Sequence, residues 1–153
     1  RSKKIKMLIV GDGPLKQKLQ SRASKGNYTH LVHFVGFVHY EEVPKYISAM
    51  DVVPLIHYDP HGGFILREAM SCGKVALTVD GDSRTQTELI DHNIDGILVP
   101  SENRVIEAAK QIIWLKENED QRLIIGNNAR KKVEKEFGFM KLTRIVEREL
   151  TQI

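Results

Sequence analysis

The chain has 153 residues, of which 41% are hydrophobic and 28% charged, with 11 Gly and 5 Pro. A chain of this length fits one domain, since single domains run to about 100–200 residues. Its composition excludes collagen-like, low-complexity and wholly disordered proteins. The longest apolar runs, such as residues 7–10, are far shorter than the roughly 18 residues of a membrane-spanning helix, so no such helix is predicted.

The net charge of +3 is unevenly distributed along the chain. The first 25 residues hold eight basic residues and a single acidic one, Asp12, and therefore carry a net charge of +7. Such a basic end suits phosphate groups or an anionic membrane surface, but it also suits a solvated strand edge and helix face. The sequence alone leaves these readings open.

Cys72 is the only cysteine, which excludes an intrachain disulfide and a cysteine-built zinc site and is compatible with a reducing compartment. No metal site is predicted. The chain opens at Arg1 without an initiator methionine, so we expect it to be a piece of a longer protein.

Short apolar runs alternate with amphipathic segments over the first hundred residues, which is the pattern of βαβ units. The predicted strands are residues 4–10, 31–37, 51–56, 75–79 and 96–99. The predicted helices are residues 14–25, 41–50, 64–71 and 85–91, followed by a wholly helical tail from Glu102. The fold class is therefore α/β, a Rossmann-like three-layer sandwich with a mostly parallel sheet and C-terminal helices. In the tail, Lys131, Lys132 and Lys135 alternate with acidic residues, which is typical of a solvated helix face.

Two glycine-rich turns follow predicted strands, where ligands bind in open parallel sheets. The first contains Gly11 and Gly13 and lets a ligand approach the backbone closely. Lys16 stands where a third glycine would complete the dinucleotide fingerprint, and no phosphate loop of the Walker type is present, which disfavours NAD binding and simple ATPase activity.

The second turn opens the helix predicted over residues 64–71. Its glycines, Gly62 and Gly63, leave backbone amides for a phosphate or sugar oxygen, and the Glu68 carboxylate a turn later can accept hydrogen bonds from hydroxyl groups. The pattern favours a polyhydroxylated anionic ligand. The alternative is an ordinary strand-to-helix connection in which Glu68 pairs with Arg67 or another base.

Seven short segments stand out in chain order: residues 8–14, 35–37, 51–52, 63–64, 68–73, 88–90 and 96–100. In this order they resemble the nucleotide-sugar-binding, C-terminal domain of retaining GT-B glycosyltransferases, of the family 4-like group 1. The resemblance runs from about Ile5 to Pro100, and Ala129, Arg130 and Phe137 look like that family's terminal helices.

This resemblance implies that residues 1–153 are the donor-binding domain of a larger two-domain hexosyltransferase, whose N-terminal acceptor domain is missing here. Residues 138–153 would form a terminal helix packed toward that domain. The donor would be a UDP- or GDP-sugar, transferred with retention to a glycan or lipid acceptor. The family is held to use no cofactor, bound metal or obligate nucleophile in this domain, so we name donor-binding rather than catalytic residues and expect the chain alone to be inactive.

The family's motif has two glutamates separated by seven residues. Glu68 matches the second, which binds the ribose hydroxyls, and Gly62, Gly63 and Phe64 match the intervening positions. The first glutamate is replaced by Pro60, and we prefer Asp59 or His61 as its substitute over loss of function. The predicted donor-binding residues are Gly11, Gly13, Asp59, His61, Gly62, Gly63, Phe64 and Glu68.

The proline supports a rival from another class, a nucleotide-sugar-fold domain that binds a ligand or partner without transferring anything. Nucleic acid is not expected as a partner, because no base-reading pattern accompanies the basic end. The expected location is the cytoplasm, with peripheral association at the inner face of a membrane left open.

Overall fold

The computed structural model describes residues 4–57, 63–81 and 88–138. The chain divides into two compact units, Arg1–Tyr46 and Ile47–Ile153. Each unit contains a parallel sheet with helices in its connections. The predicted α/β, Rossmann-like class is therefore confirmed.

The first unit pairs strand β1 (Met7–Val10) with strand β2 (Val32–Gly36) in parallel. Helix α1 (Lys16–Lys25) lies between them in the chain, and a 3₁₀ turn (Tyr40–Glu42) leads into helix α2 (Val43–Ser48), at whose end the second unit begins.

The predicted starts of β1 and α1 are too early. The strand begins at Met7, whose amide is the first to bond across to the second strand, at the Leu31 carbonyl. Pro14 precedes the helix instead of opening it, because the turn closes through a bond from the Lys16 amide to the Gly13 carbonyl.

The second unit is built on a three-stranded parallel sheet of order β3-β4-β5, formed by Val52–Leu55, Val75–Val79 and Ile97–Val99. Helix α3 (Phe64–Ser71) connects β3 to β4, and the central strand β4 is buried along its whole length. Helices α4 (Arg104–Glu117) and α5 (Glu119–Phe137) follow the last strand.

The core of this unit lies on both faces of β4. Val75, Leu77 and Val79 pack with residues of β5, α4 and α5 on one face, whereas Ala76 packs on the other with residues of α3 and α5. A strand covered on both faces has no polar side to alternate with, which explains why four of its five residues are apolar. The exception is the fully buried Thr78, whose hydroxyl donates to the Leu55 carbonyl at 2.9 Å.

Helix α3 ends in a left-handed glycine. Gly73 adopts φ +69°, its amide donates to the Met70 carbonyl, and the Lys74 amide donates to the Ala69 carbonyl. This pair of bonds is the Schellman ending that the glycine predicts. Gly126 of α5 packs directly on this turn, and a Cβ at Gly126 would overlap the Gly73 carbonyl oxygen.

Two helix predictions need correction at their ends. Of the helix predicted over residues 85–91, the described residues 88–91 form no helix, and residues 85–87 lie outside the described part of the chain. Helix α5 ends at Phe137 because Gly138 is extended, so the terminal helix predicted over 138–153 does not include Gly138, and its other residues lie outside the description. None of the described helices is both long and apolar enough to cross a bilayer.

Candidate functional site

The turn before α3 holds the best-defined candidate site. Gly63 precedes the helix in the left-handed conformation, with φ 66° and ψ 48°, which disfavours any side chain there. Its carbonyl accepts the Leu66 amide at 2.9 Å, so the helix begins tightly wound. The left-handed conformation alone explains a glycine at position 63, as expected if the turn is an ordinary strand-to-helix connection. The first amides of α3 nevertheless point out of the helix.

The first turn of α3 leaves donors available. Among the described residues, no acceptor takes the amides of Phe64 and Ile65, and no side chain caps the helix. No acidic side chain lies in that turn either. Free amides at a helix N-terminus carry partial positive charge and attract anions.

Glu68 lies one turn into α3, on the same face as Phe64 because the two are four residues apart. The side chain is only partly buried, whereas Leu66, Ala69 and Met70 on the other side of the helix are fully buried. Within the described chain its carboxylate pairs with no base, including Arg67. The ion pair required by the alternative reading is therefore not found there, and Glu68 is not turned into the core.

Arg67 is instead held by aromatic rings. Its guanidinium carbon lies 5.7 Å from the centre of the Phe64 ring and 5.3 Å from that of Phe137, at the end of α5. Phe64 itself remains 66% exposed. Phe64 and Arg67 are three residues apart on a helix, so the sequence predicts that their side chains are neighbours. No local spacing predicts the contact of Arg67 with Phe137.

The remaining predicted residues of this turn, Asp59, His61 and Gly62, lie outside the described residues, as does Pro60. Their role as donor ligands stays a prediction. Within the described ranges, no three His, Cys, Asp or Glu side chains converge as a metal site would require.

The first turn, in the other unit, is organised around Asp12. Its carboxylate accepts the Lys16 ammonium at 2.6 Å and the Gly13 amide at 2.9 Å. These hydrogen bonds hold the pKa of Asp12 below its ordinary value. A Cβ at Gly11 or Gly13 would meet no atom within 4 Å. The space beside both glycines is thus open, and their role in donor binding stays a prediction.

The sequence missed a charge cluster on α5. Lys132 was expected on a solvated face, but its ammonium lies 2.9 Å from both Asp91 and Asp95 and is largely buried with the latter. The three charges are up to 41 positions apart, so no local pattern could have indicated the cluster.

Comparisons with known proteins place this geometry in context. The model of the family described as glycosyl transferases group 1 matches residues 1–132. The amylovoran biosynthesis glycosyltransferase AmsK of Erwinia amylovora is 30% identical over 150 residues, which are 92% of this chain and 36% of AmsK. The uncharacterized glycosyltransferase MJ1069 of Methanocaldococcus jannaschii is 31% identical over 142 residues, 90% of this chain and 34% of that protein. The chain thus spans about a third of these relatives.

Solved structures share the fold. Anabaena HepE, crystallised in complex with UDP, superimposes with a TM-score of 0.82 at 23% identity, over 97% of this chain and 41% of HepE. HepE was also solved with UDP-glucose, for which the TM-score is 0.78. The C-terminal domain of the group 1 protein LpcC from Francisella tularensis gives 0.72 at 20% identity, over 82% of this chain and 63% of that domain.

Proposed function

Because the chain belongs to the group 1 glycosyl transferases, we propose that it binds the nucleoside-diphosphate sugar donor of a retaining glycosyltransferase. The observation that carries this proposal is the start of α3, where the amides of Phe64 and Ile65 have no described acceptor and Glu68 has no described partner. The amides can donate hydrogen bonds to an anion, and the Glu68 carboxylate can accept them from hydroxyl groups. A nucleoside diphosphate offers both.

In this proposal the backbone amides and the Glu68 carboxylate bind different parts of the nucleotide-sugar donor. The diphosphate lies against the first turn of α3, and the Glu68 carboxylate accepts hydrogen bonds from the ribose hydroxyls. As the bond between sugar and phosphate breaks, negative charge grows on the departing diphosphate. The amides and the helix dipole stabilise that charge and thereby ease departure.

UDP is the first nucleotide to test, since HepE, which shares the fold, was crystallised with UDP and with UDP-glucose. The acceptor in this proposal is a glycan or a lipid, held by a part of the protein beyond this chain. For the location of the protein we propose the cytoplasm.

The rival proposal, a binding domain without transfer activity, draws on the proline at position 60 in place of the motif's first glutamate. Proline supplies neither a carboxylate nor an amide hydrogen to a donor sugar. Calorimetry of the chain with UDP and with GDP tests the rival in which the domain only binds a protein partner, because such a domain binds neither nucleotide. A domain that binds the nucleotide without transfer is distinguished by the absence of sugar transfer in the full-length protein.

We predict weak UDP binding by the chain and at least tenfold weaker binding by Glu68→Gln. A hydrogen bond to a charged group is worth about 1.5–3 kcal/mol, which corresponds to roughly ten- to a hundredfold in affinity. Glu117→Gln on the exposed end of α4 is the matched control and should bind UDP like the unmodified chain. Equal affinities of the unmodified chain and Glu68→Gln would refute the assignment.

A further inference from the structure

Arg67 occupies an unusual environment for a charged side chain. Its guanidinium is stacked between Phe64 and Phe137, and its Nε is buried without a hydrogen-bond acceptor among the described residues. Burying a charged donor without an acceptor is costly. Electrostatic attraction between the guanidinium and the faces of the two rings offsets part of this cost. Arginine makes this contact better than lysine because its guanidinium is flat and weakly hydrated.

The stack joins two distant points of the second unit. Phe64 is the first residue of α3, and Phe137 is the last residue of α5. At its other end, α3 is already fixed by the contact of Gly126 with the Gly73 turn. Helix α3 is therefore held against α5 at both ends, by backbone packing at its C-terminus and by Arg67 at its N-terminus.

The N-terminal end of α3 is held in part by this side chain. Ile65 and Leu66 pack against the core, whereas Phe64 is 66% exposed, so little else in the described chain holds its ring. The amides of Phe64 and Ile65 donate to no described acceptor. The stacking of Arg67 on Phe64 therefore adds to the core packing of Ile65 and Leu66 in orienting the first turn of α3.

We propose that Arg67 is a positioning residue of the donor site: by stacking between Phe64 and Phe137 it holds the amides of Phe64 and Ile65 in the orientation that receives the diphosphate. This inference rests on the proposed function. Arg67 acts through the two rings and does not itself bind the phosphate. Phe137, which is 73 positions after Phe64 in the chain, therefore also contributes to orienting these amides.

The test measures UDP affinity by calorimetry in the full 153-residue chain, with substitutions at the far end of the stack. Phe137→Leu keeps the apolar contact but removes the ring, and we expect about three- to tenfold weaker binding. Phe137→Tyr keeps the ring and should bind within about twofold of the unmodified chain. Purely apolar packing would not distinguish a ring from a leucine in this way.

Arg67→Lys retains the charge but not the flat guanidinium, so it should weaken binding about as much as Phe137→Leu. The double variant should be no weaker than the worse single variant, because both changes break one stack. Arg130→Lys, an exposed position on α5, is the control for the chemical change. If Arg67→Lys preserved binding and Phe137→Leu had no effect, the stack would not orient the amides and the positioning role would be wrong.

A second readout follows the backbone directly. In the free chain, NMR order parameters of Phe64 and Ile65 should be near those of a rigid backbone, about 0.85, and should fall in Phe137→Leu but not in Phe137→Tyr. If the unmodified chain binds neither UDP nor GDP, both this inference and the proposed function fail. If it binds UDP and Glu68→Gln does not, but Phe137→Leu binds normally with unchanged order parameters, only the positioning role fails.

Discussion

Lys132 shows how a single side chain ties a loop of the second unit to a helix. Its ammonium lies 2.9 Å from carboxylate oxygens of Asp91 and Asp95, and the Asp91 amide donates to Asp95 at 2.8 Å. Burial raises the pKa of Asp95 despite these bonds, whereas the hydrogen bond from Lys132 lowers that of Asp91. Burial alone would lower the pKa of Lys132, but the hydrogen bonds to Asp91 and Asp95 and the attraction of their charges together outweigh burial and raise it.

Removing the cation should leave the Asp95 carboxylate buried and unpaired. We predict that Lys132→Met lowers the free energy of unfolding at neutral pH by about 3 kcal/mol, the usual cost of breaking a buried pair. Lys131→Met, at the exposed neighbouring position, should change it by less than about 0.5 kcal/mol. Urea unfolding of both variants and the unmodified chain measures the difference, and equal losses in the two variants would argue against a buried pair.

The same substitution has a pH signature. Asp95 has a raised pKa in the folded state, so its burial costs nothing below the ordinary aspartate value of about 3.9 and costs most above the folded pKa. Asp91 has a lowered pKa, so its contribution is lost on acidification. The Asp95 effect makes the deficit of Lys132→Met smaller near pH 4 than at neutral pH, and the Asp91 effect reduces the deficit further at still lower pH.

Sequence reasoning at this scale succeeds where the determinant is local. Gly63 and Gly73 lie at helix ends whose geometry neighbouring residues already specify, and both glycines are left-handed. The partners of Arg67 and Lys132 are on other elements, at positions set only by packing. Their positions could not be predicted from spacing along the chain.

The contact between α3 and α5 depends on close approach of two backbones. Gly126 lies against the Gly73 turn, where a Cβ would overlap the Gly73 carbonyl oxygen. Both elements contribute to the core, through Leu66, Met70 and Ala129. Separating the two helices would therefore open that core.

We predict that Gly126→Ala lowers the free energy of unfolding by about 1–3 kcal/mol, the range for overpacking a close contact. The sign is the informative part, because alanine normally stabilises a helix by about 1 kcal/mol relative to glycine. Asn127→Ala, at the exposed next position, should be neutral or slightly stabilising in the same thermal or urea unfolding experiment. Stabilisation by Gly126→Ala would mean that the two backbones are not in contact.

The elements themselves were largely predictable. Within residues 4–57, 63–81 and 88–138, the strands β1 to β5 and the helices α1 to α5 lie within or close to the predicted segments, because their apolar periodicities differ clearly. The boundaries of the elements were less predictable. Strand β1 and helix α1 start later than predicted because hydrogen bonds of Met7 and Lys16 fix where they begin, and apolar periodicity does not encode these bonds. In residues 88–91 the buried Leu89 and Ile90 contribute to the core from a turn and the irregular segment after it, not from the predicted helix.

At the scale of the whole molecule, the chain is one part of what its relatives contain, since it covers 34% and 36% of the two curated proteins compared here. The family could be predicted from short motifs in a fixed order along the chain, which lie on strands, helices and the turns between them. The sugar, the acceptor and the site formed by residues 59–62 could not, since these depend on loops and on surfaces that spacing does not specify.

The central claim is that the first turn of α3 binds the diphosphate of a nucleotide sugar. The most direct measurement is an NMR titration of the isotopically labelled chain with UDP, following the backbone amide signals. We predict that the amides of Phe64 and Ile65 show some of the largest shifts and saturate together with the calorimetric binding curve. Binding of UDP that leaves both amides unshifted would contradict the claim.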